Sequence, residues 1–235
     1  KIEDYLIYLK AQDMSHSHMR NSTFALQSYL ESNDYAGLNW KKIRKILGRD
    51  EKSHNSRPYT TEEIKRMLAV SKSLRNRAMI LFLSASGVRR GAIPEMKIKD
   101  LKQMTHGCIA VTVYANHRDQ YTTFINREAS EALSAYHERR KQQGEILTPT
   151  SLVFPSVNSK KTTASITETT ISMLIRRIKK TAGIGGNEGS NLLVHAFRRR
   201  FDTIFKLKDN ANVSLVERLM GHSVSVQLDN SYFQP

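Results

Sequence analysis

The 235-residue chain carries a single cysteine, Cys108. One thiol cannot close an internal disulfide, and a reducing compartment suits such a chain. It also excludes a cysteine-rich zinc cluster. Long apolar runs are missing too. The longest, residues 78–83, falls far short of the roughly twenty residues that cross a bilayer. No signal-peptide pattern opens the chain, which starts at Lys1 inside an amphipathic pattern and stops at Pro235. Both ends read as cut from something longer. Acidic residues are scarce: 22 Asp and Glu face 37 Lys and Arg, a net charge of +15. That surplus asks for a polyanionic partner, nucleic acid first, against the plainer alternative of a merely basic protein. The location implied is the cytoplasm, with the nucleoid.

What is present suffices for a core. Hydrophobic residues make up 39% and charged residues 25%, near ordinary globular usage. Three apolar sets recur at helical spacing in the first fifty residues: Ile2, Tyr5, Leu6, Tyr8 and Leu9; Phe24, Leu26, Tyr29 and Leu30; Trp40, Ile43, Ile46 and Leu47. They predict a small helical bundle over residues 1–50. Lys41, Lys42 and Lys45 give its end positive charge, as a solvated face or a phosphate-contacting one. Residues 51–58 are polar and aperiodic, and predict a linker. A second domain follows over residues 59–235.

In that domain Thr60 and Glu63 form a capping box before an apolar stripe. A helix from residue 74 to 83 precedes Gly87, which is placed to end it. Arg89 and Arg90 then leave the core edge. Residues 109–114 and 121–125 alternate as β-branched strands around a charged hairpin tip, His117-Arg118-Asp119. Helices are predicted over 127–143 and 167–182. The second has an apolar stripe of Ile171, Leu174, Ile175 and Ile178, and an opposite face of Arg176, Arg177, Lys179 and Lys180. Gly183, Gly185, Gly186 and Gly189 form a loop without the strand or the Lys-Ser/Thr of a phosphate cradle. The fold class expected is mainly α with a small antiparallel β-sheet, α+β.

Four short signals remain. His195-Ala196-Phe197-Arg198 puts a proton carrier and a planar cation three apart on a helix. Basic residues concentrate around it, and Arg199 and Arg200 turn away from Arg198, toward a DNA backbone or the surface. Gly87-Val88-Arg89 precedes it, and Leu219-Met220-Gly221-His222-Ser223 and Tyr232 follow. Each is weak alone. In this order the sequence resembles the tyrosine recombinases, the integrases and Xer-type recombinases. Its spelling is similar to integrase-like sequences from archaea and their mobile elements. The resemblance spans nearly the whole chain.

The resemblance implies a site-specific DNA recombinase with a helical core-binding domain and a catalytic domain. Tyr232 would attack a DNA phosphate to give a 3′-phosphotyrosyl link and a free 5′-hydroxyl. Arg89 and Arg198 would clamp the non-bridging oxygens, His195 would assist proton transfer, and His222 would donate to the phosphate. No cofactor, metal or ATP is implied. The partners implied are double-stranded DNA and the protein itself, a monomer without DNA and a tetramer on paired sites. Arg90, Arg176, Arg177, Lys179 and Arg199, with Lys41, Lys42 and Lys45, are the candidate DNA-backbone contacts. The sequence departs from the family twice. Ala92 stands where an acid is usual, and the hairpin has no lysine as general acid. Arg118 takes that place, with His117 as its rival. The alternatives are a type IB topoisomerase-like nicking-closing enzyme and a catalytically impaired DNA-binding member of the family.

Overall fold

The computed structural model describes residues 1–35, 37–48, 57–156, 164–185, 193–209 and 211–222. The chain separates into two compact units, Lys1–His54 and Asn55–Pro235. Much of the expected linker, together with Gly186, Gly189, Ser223 and Tyr232, lies outside the described residues.

The first unit is helical. Helix α1 (Ile2–Ala11) buries Leu6 and Leu9, three apart on one face. Helix α2 (His16–Glu31) starts at Ser15, whose hydroxyl accepts from the His18 amide. It buries Met19 and Thr23, and the Thr23 hydroxyl donates to the Met19 carbonyl. Helix α3 (Trp40–Arg44) runs into a 3₁₀ turn (Lys45–Leu47) and adds Ile43 and Leu47. The core is therefore small: Leu6, Leu9, Met19, Ile43 and Leu47. The periodic aromatics Tyr5, Tyr8, Phe24 and Tyr29 remain exposed. Their spacing follows the helix period, but the inward arc is filled by smaller aliphatic side chains.

The second unit is built around helix α5 (Leu74–Ser86). Residues 78–83 are all buried, so this stretch of the helix is apolar on every side. Helix α4 (Thr61–Val70) precedes it, opened by the capping box of Thr60 and Glu63. Around α5 pack helix α6 (Arg127–Gln142), helix α8 (Val194–Lys206) and a three-stranded antiparallel sheet. The strands are β1 (Leu101–Gln103), β2 (Ile109–Val113) and β3 (Tyr121–Ile125), in that spatial order. Ile109 lies opposite Ile125 and Val113 opposite Tyr121. Strand β1, three residues long, carries no alternation and has no sequence signal. Ile109, Val111, Val113, Thr123 and Ile125 face the core. Phe154 completes it, stacked on Tyr136 at 5.9 Å and edge-on to Phe82. Helix α7 (Glu168–Thr181) packs against α4 and α8, and helix α9 (Val213–Leu219) against β3 and α8.

Helix α5 continues three residues past its expected end at 83. The Ser86 hydroxyl donates to the Phe82 carbonyl, and the Thr123 hydroxyl donates to the Ser86 carbonyl at 2.9 Å. The sheet is thus tied to the last turn of the central helix. The expected polar face of α7 is corrected at one position. Lys179 is 6% exposed and lies beside Ile175 and Ile178 at the edge of the apolar stripe. Burial there lowers its pKa, with Arg176 adding to the effect and Glu63 opposing it.

Candidate active site

The site begins where α5 ends. Gly87 closes the helix in the left-handed conformation, φ 59°. A Cβ there would stand 2.7 Å from the Phe201 ring of α8. Only glycine satisfies both conditions. The turn delivers Arg89, half-buried, at the rim of the core. Ala92 is itself buried, so no carboxylate supports Arg89 from that position. Its Nη2 instead donates to the Gly221 carbonyl at 3.1 Å.

Arg198 comes from the buried side of α8. Val194, Phe197, Arg198 and Phe201 share one face, so the guanidinium enters the core with the apolar stripe. It is 3% exposed, and burial lowers its pKa. It still holds its charge, because arginine starts above about 12. Its Nη1 donates to the Gly87 carbonyl at 2.8 Å, and its Nη2 donates to the Met220 carbonyl. The same Nη2 lies 2.8 Å from His222 Nε2. A guanidinium only donates, so Nε2 is the acceptor. One buried cation therefore joins the end of α5, α8 and the turn after α9.

That turn contains a second required glycine. Gly221 has φ 63°, and a Cβ would stand 2.3 Å from the Tyr121 ring. Tyr121, the first residue of β3, forms the floor of the site. Burial pushes its pKa up, while Arg198 and Arg89 pull it back. Its hydroxyl is shielded from solvent and makes no aligned hydrogen bond among the described residues. His222 Nδ1 meets Glu217 Oε2, and Glu217 Oε1 accepts from Lys206 Nζ. Lys206 also reaches Asp202 at 2.7 Å. Lys206 holds the Glu217 carboxyl below its usual range; burial opposes this and His222 adds to it. A carboxylate accepts, so Nδ1 carries a proton. His195 is exposed at the edge of the group. The protein covering one side of its ring lowers its pKa, and the charges of Arg199, Arg198 and Arg89 lower it further.

Arg89, Arg198, His195 and His222 are thus gathered at one place from three separated stretches of chain. Arg118 and His117 are not in contact with them. Both are exposed at the hairpin tip, and Arg118 lies 3.8 Å from Asp119. Tyr232 lies outside the described residues. Among the candidate backbone contacts, Lys41, Lys42, Lys45, Arg176 and Arg177 are exposed, Arg199 is half-buried and Lys179 is buried. Arg90 is bonded to Glu168 and Ser172, each at 2.7 Å, and so fastens its turn to α7. Arg200 is outside the site, as expected, but does not stand free on the surface. It donates to the Tyr59 carbonyl and the Thr61 hydroxyl, bridging α8 to the start of α4. Sequence reasoning missed Tyr121, Lys206 and Glu217. Only Glu217 left a signal, an acid five residues before a histidine across a helix end.

Among the described residues no group of His, Cys, Asp or Glu is arranged to hold a metal ion. Nor is any described helix long and apolar enough to cross a membrane. Residues 57–235 match the family model described as the phage integrase family. No curated protein matches by sequence. Solved structures similar to the whole chain include the XerA recombinase, with TM-score 0.60 and 21% identity over 99% of this chain and 77% of that one. The XerH site-specific recombinase bound to its difH substrate gives TM-score 0.69 and 18% identity over 98% and 67%. A lambda integrase dimer bound to a COC′ core site gives 0.65 and 16% over 100% and 80%. At these identities the likeness shows a shared fold.

Proposed function

The chain belongs to the phage integrase family, and on that premise we propose that it is a site-specific DNA recombinase that cuts and rejoins strands through Tyr232. The observation that carries this reading is the convergence of Arg89, Arg198 and His222 on one carbonyl-and-guanidinium network, with His195 at its edge. Two fixed planar cations fit the non-bridging oxygens of a phosphodiester, where charge develops as the Tyr232 oxygen attacks. A depressed pKa keeps His195 neutral near neutral pH, as a group accepting the tyrosine proton must be. His222 donates to the phosphate. The leaving 5′-oxygen faces the hairpin tip, where Arg118 supplies charge and His117 is the rival proton donor. The phosphotyrosyl ester keeps the energy of the broken bond, so a second 5′-hydroxyl reverses the step.

The exposed lysines of the first unit and the exposed arginines of α7 are proposed to meet DNA phosphates. The protein is proposed to act in the cytoplasm with the nucleoid, as a monomer without DNA and as a tetramer on paired sites. Light scattering on the DNA-free protein checks the first state; a stable tetramer there contradicts it.

The deciding experiment uses a duplex nicked beside the cleavage position, so that the cut product diffuses away and traps the intermediate. A denaturing gel should show a protein–DNA band that vanishes in Tyr232→Phe. Its absence on a duplex that the protein specifically protects would leave a binding module instead. Joining two different duplexes separates a recombinase from a topoisomerase, which would only relax and reseal. A substrate with sulfur in place of the 5′-bridging oxygen needs no proton donor. It should rescue whichever of Arg118→Ala and His117→Ala is slow on ordinary DNA.

A further inference from the structure

His222 is engaged on both ring nitrogens in the DNA-free protein. Arg198 donates to Nε2, and Nδ1–H meets the Glu217 carboxylate. The state is self-consistent, but it is the wrong one for a histidine that must donate to a phosphate. Nε2 then needs a proton, and its present partner is a cation that only donates. Glu217 is fixed where it would stabilise a doubly protonated ring. Its other oxygen is anchored by Lys206, which Asp202 braces from the preceding turn of α8.

We propose that Glu217 is a positioning residue: it fixes His222 as the Nδ1-protonated tautomer without DNA, and it lets an arriving DNA phosphate load a proton onto Nε2. The inference rests on the recombinase reading above. Atoms balance simply. The phosphate oxygens take over the Arg198 Nη2–H. Nε2 gains one proton from solvent, forms an N–H bond and donates it to the phosphate. Glu217 remains a carboxylate throughout. One proton is taken up per site, and no oxidant or co-reactant takes part.

The charged and titratable groups around His222 come from every packed element. Glu217 and Arg218 belong to α9; His195, Arg198, Arg199, Asp202 and Lys206 to α8; Tyr121 to β3; Arg89 to the turn after α5. The cations Arg198, Arg199 and Arg89 would oppose a charged ring. Glu217, in contact with Nδ1, is what offsets them.

Two measurements test this in the full chain. Nitrogen NMR on histidine-labelled protein, with His222 assigned by its loss in His222→Gln, should show the Nδ1–H tautomer without DNA. Protonation at Nε2 in that state overturns the proposal, whatever the DNA experiments give. The second uses a nicked duplex already shown to form the covalent band, with Tyr232→Phe protein to stop cleavage. Calorimetry in buffers of different ionisation heat should give an uptake of about one proton on binding. Glu217→Gln, nearly identical in shape, should abolish it, and Glu217→Asp should restore part. Lys206→Met removes a cation from beside Glu217, so uptake should persist to higher pH. A purely structural role would move the Gln and Met variants in the same direction, and that result rejects the proposal. If the wild-type protein forms the covalent band but takes up no proton, this inference falls and the recombinase reading stands. If no duplex gives the band, the recombinase reading falls, and this inference with it.

Discussion

Arg198 and Arg89 are the same residue type in the same site, yet their surroundings differ. Arg198 is buried and satisfies the carbonyls of Gly87 and Met220. Arg89 is half-buried and satisfies one, on Gly221. A lysine cannot fork between two carbonyls and a ring nitrogen. Arg198→Lys should therefore abolish cleavage and also destabilise the fold by about 2–4 kcal/mol, because it orphans buried acceptors. Arg89→Lys should abolish cleavage at a cost of no more than about 1 kcal/mol, as one hydrogen bond is worth. Denaturant unfolding of both variants, beside the covalent-band assay, checks the contrast; equal destabilisation would contradict it. The motif residues were legible because each type already implied its chemistry: a fixed cation, a titratable ring, a glycine at a helix end. Tyr121 was not legible. Its role depends on the close approach of its ring to Gly221, and no spacing in the sequence reports that approach.

Helix α4 shows how a local signal becomes a linkage. The capping box of Thr60 and Glu63 was readable from the sequence, since it needs only residues three apart. Its reinforcement was not. Arg57 grips the Glu63 carboxylate at 2.6 and 2.8 Å. This pair, before the backbone bond to Thr60, holds the Glu63 pKa down at about 2. A depressed carboxylate stabilises the fold above its unfolded value, near 4.3, and the contribution disappears as pH falls toward the folded value. The expected contribution at neutral pH is about 2–3 kcal/mol, since each unit is worth about 1.4. Glu63→Gln should flatten the fall in stability across that acid window, as read from unfolding curves at a series of pH values. An unchanged acid slope would show that other carboxylates carry it. The long helices and the β2–β3 hairpin were legible because each has a strong period and a chemically marked end. Strand β1 was not, because three residues cannot establish a period; it exists by pairing with β2.

At the scale of the molecule, the surplus of fifteen positive charges is the clearest sequence property. The structure divides those cations into two groups. Arg90, Arg198 and Arg200 are bound to protein groups, while Lys41, Lys42, Lys45, Arg176 and Arg177 are exposed. Composition alone could not make that division. DNA affinity should fall steeply with salt, with a log-log slope set by the number of phosphates neutralised, about 0.9 per contact on duplex DNA. Arg176→Ala should make the slope shallower by roughly that amount, whereas Arg200→Ala should leave it unchanged and lower stability. A flat plot for the wild type would contradict a phosphate footprint.

The buried guanidinium of Arg198 also closes the second unit, because it holds α5, α8 and the turn after α9 together. The described part of the proposed site therefore has no separate packing for heat to melt first. On warming, covalent-complex formation should be lost along the same curve as the second unit's unfolding, with no inactive but folded state between. Superimposed activity and circular-dichroism transitions would bear this out; an activity loss well below the unfolding midpoint would refute it. On this account, a variant selected only for surviving heat would keep its chemistry.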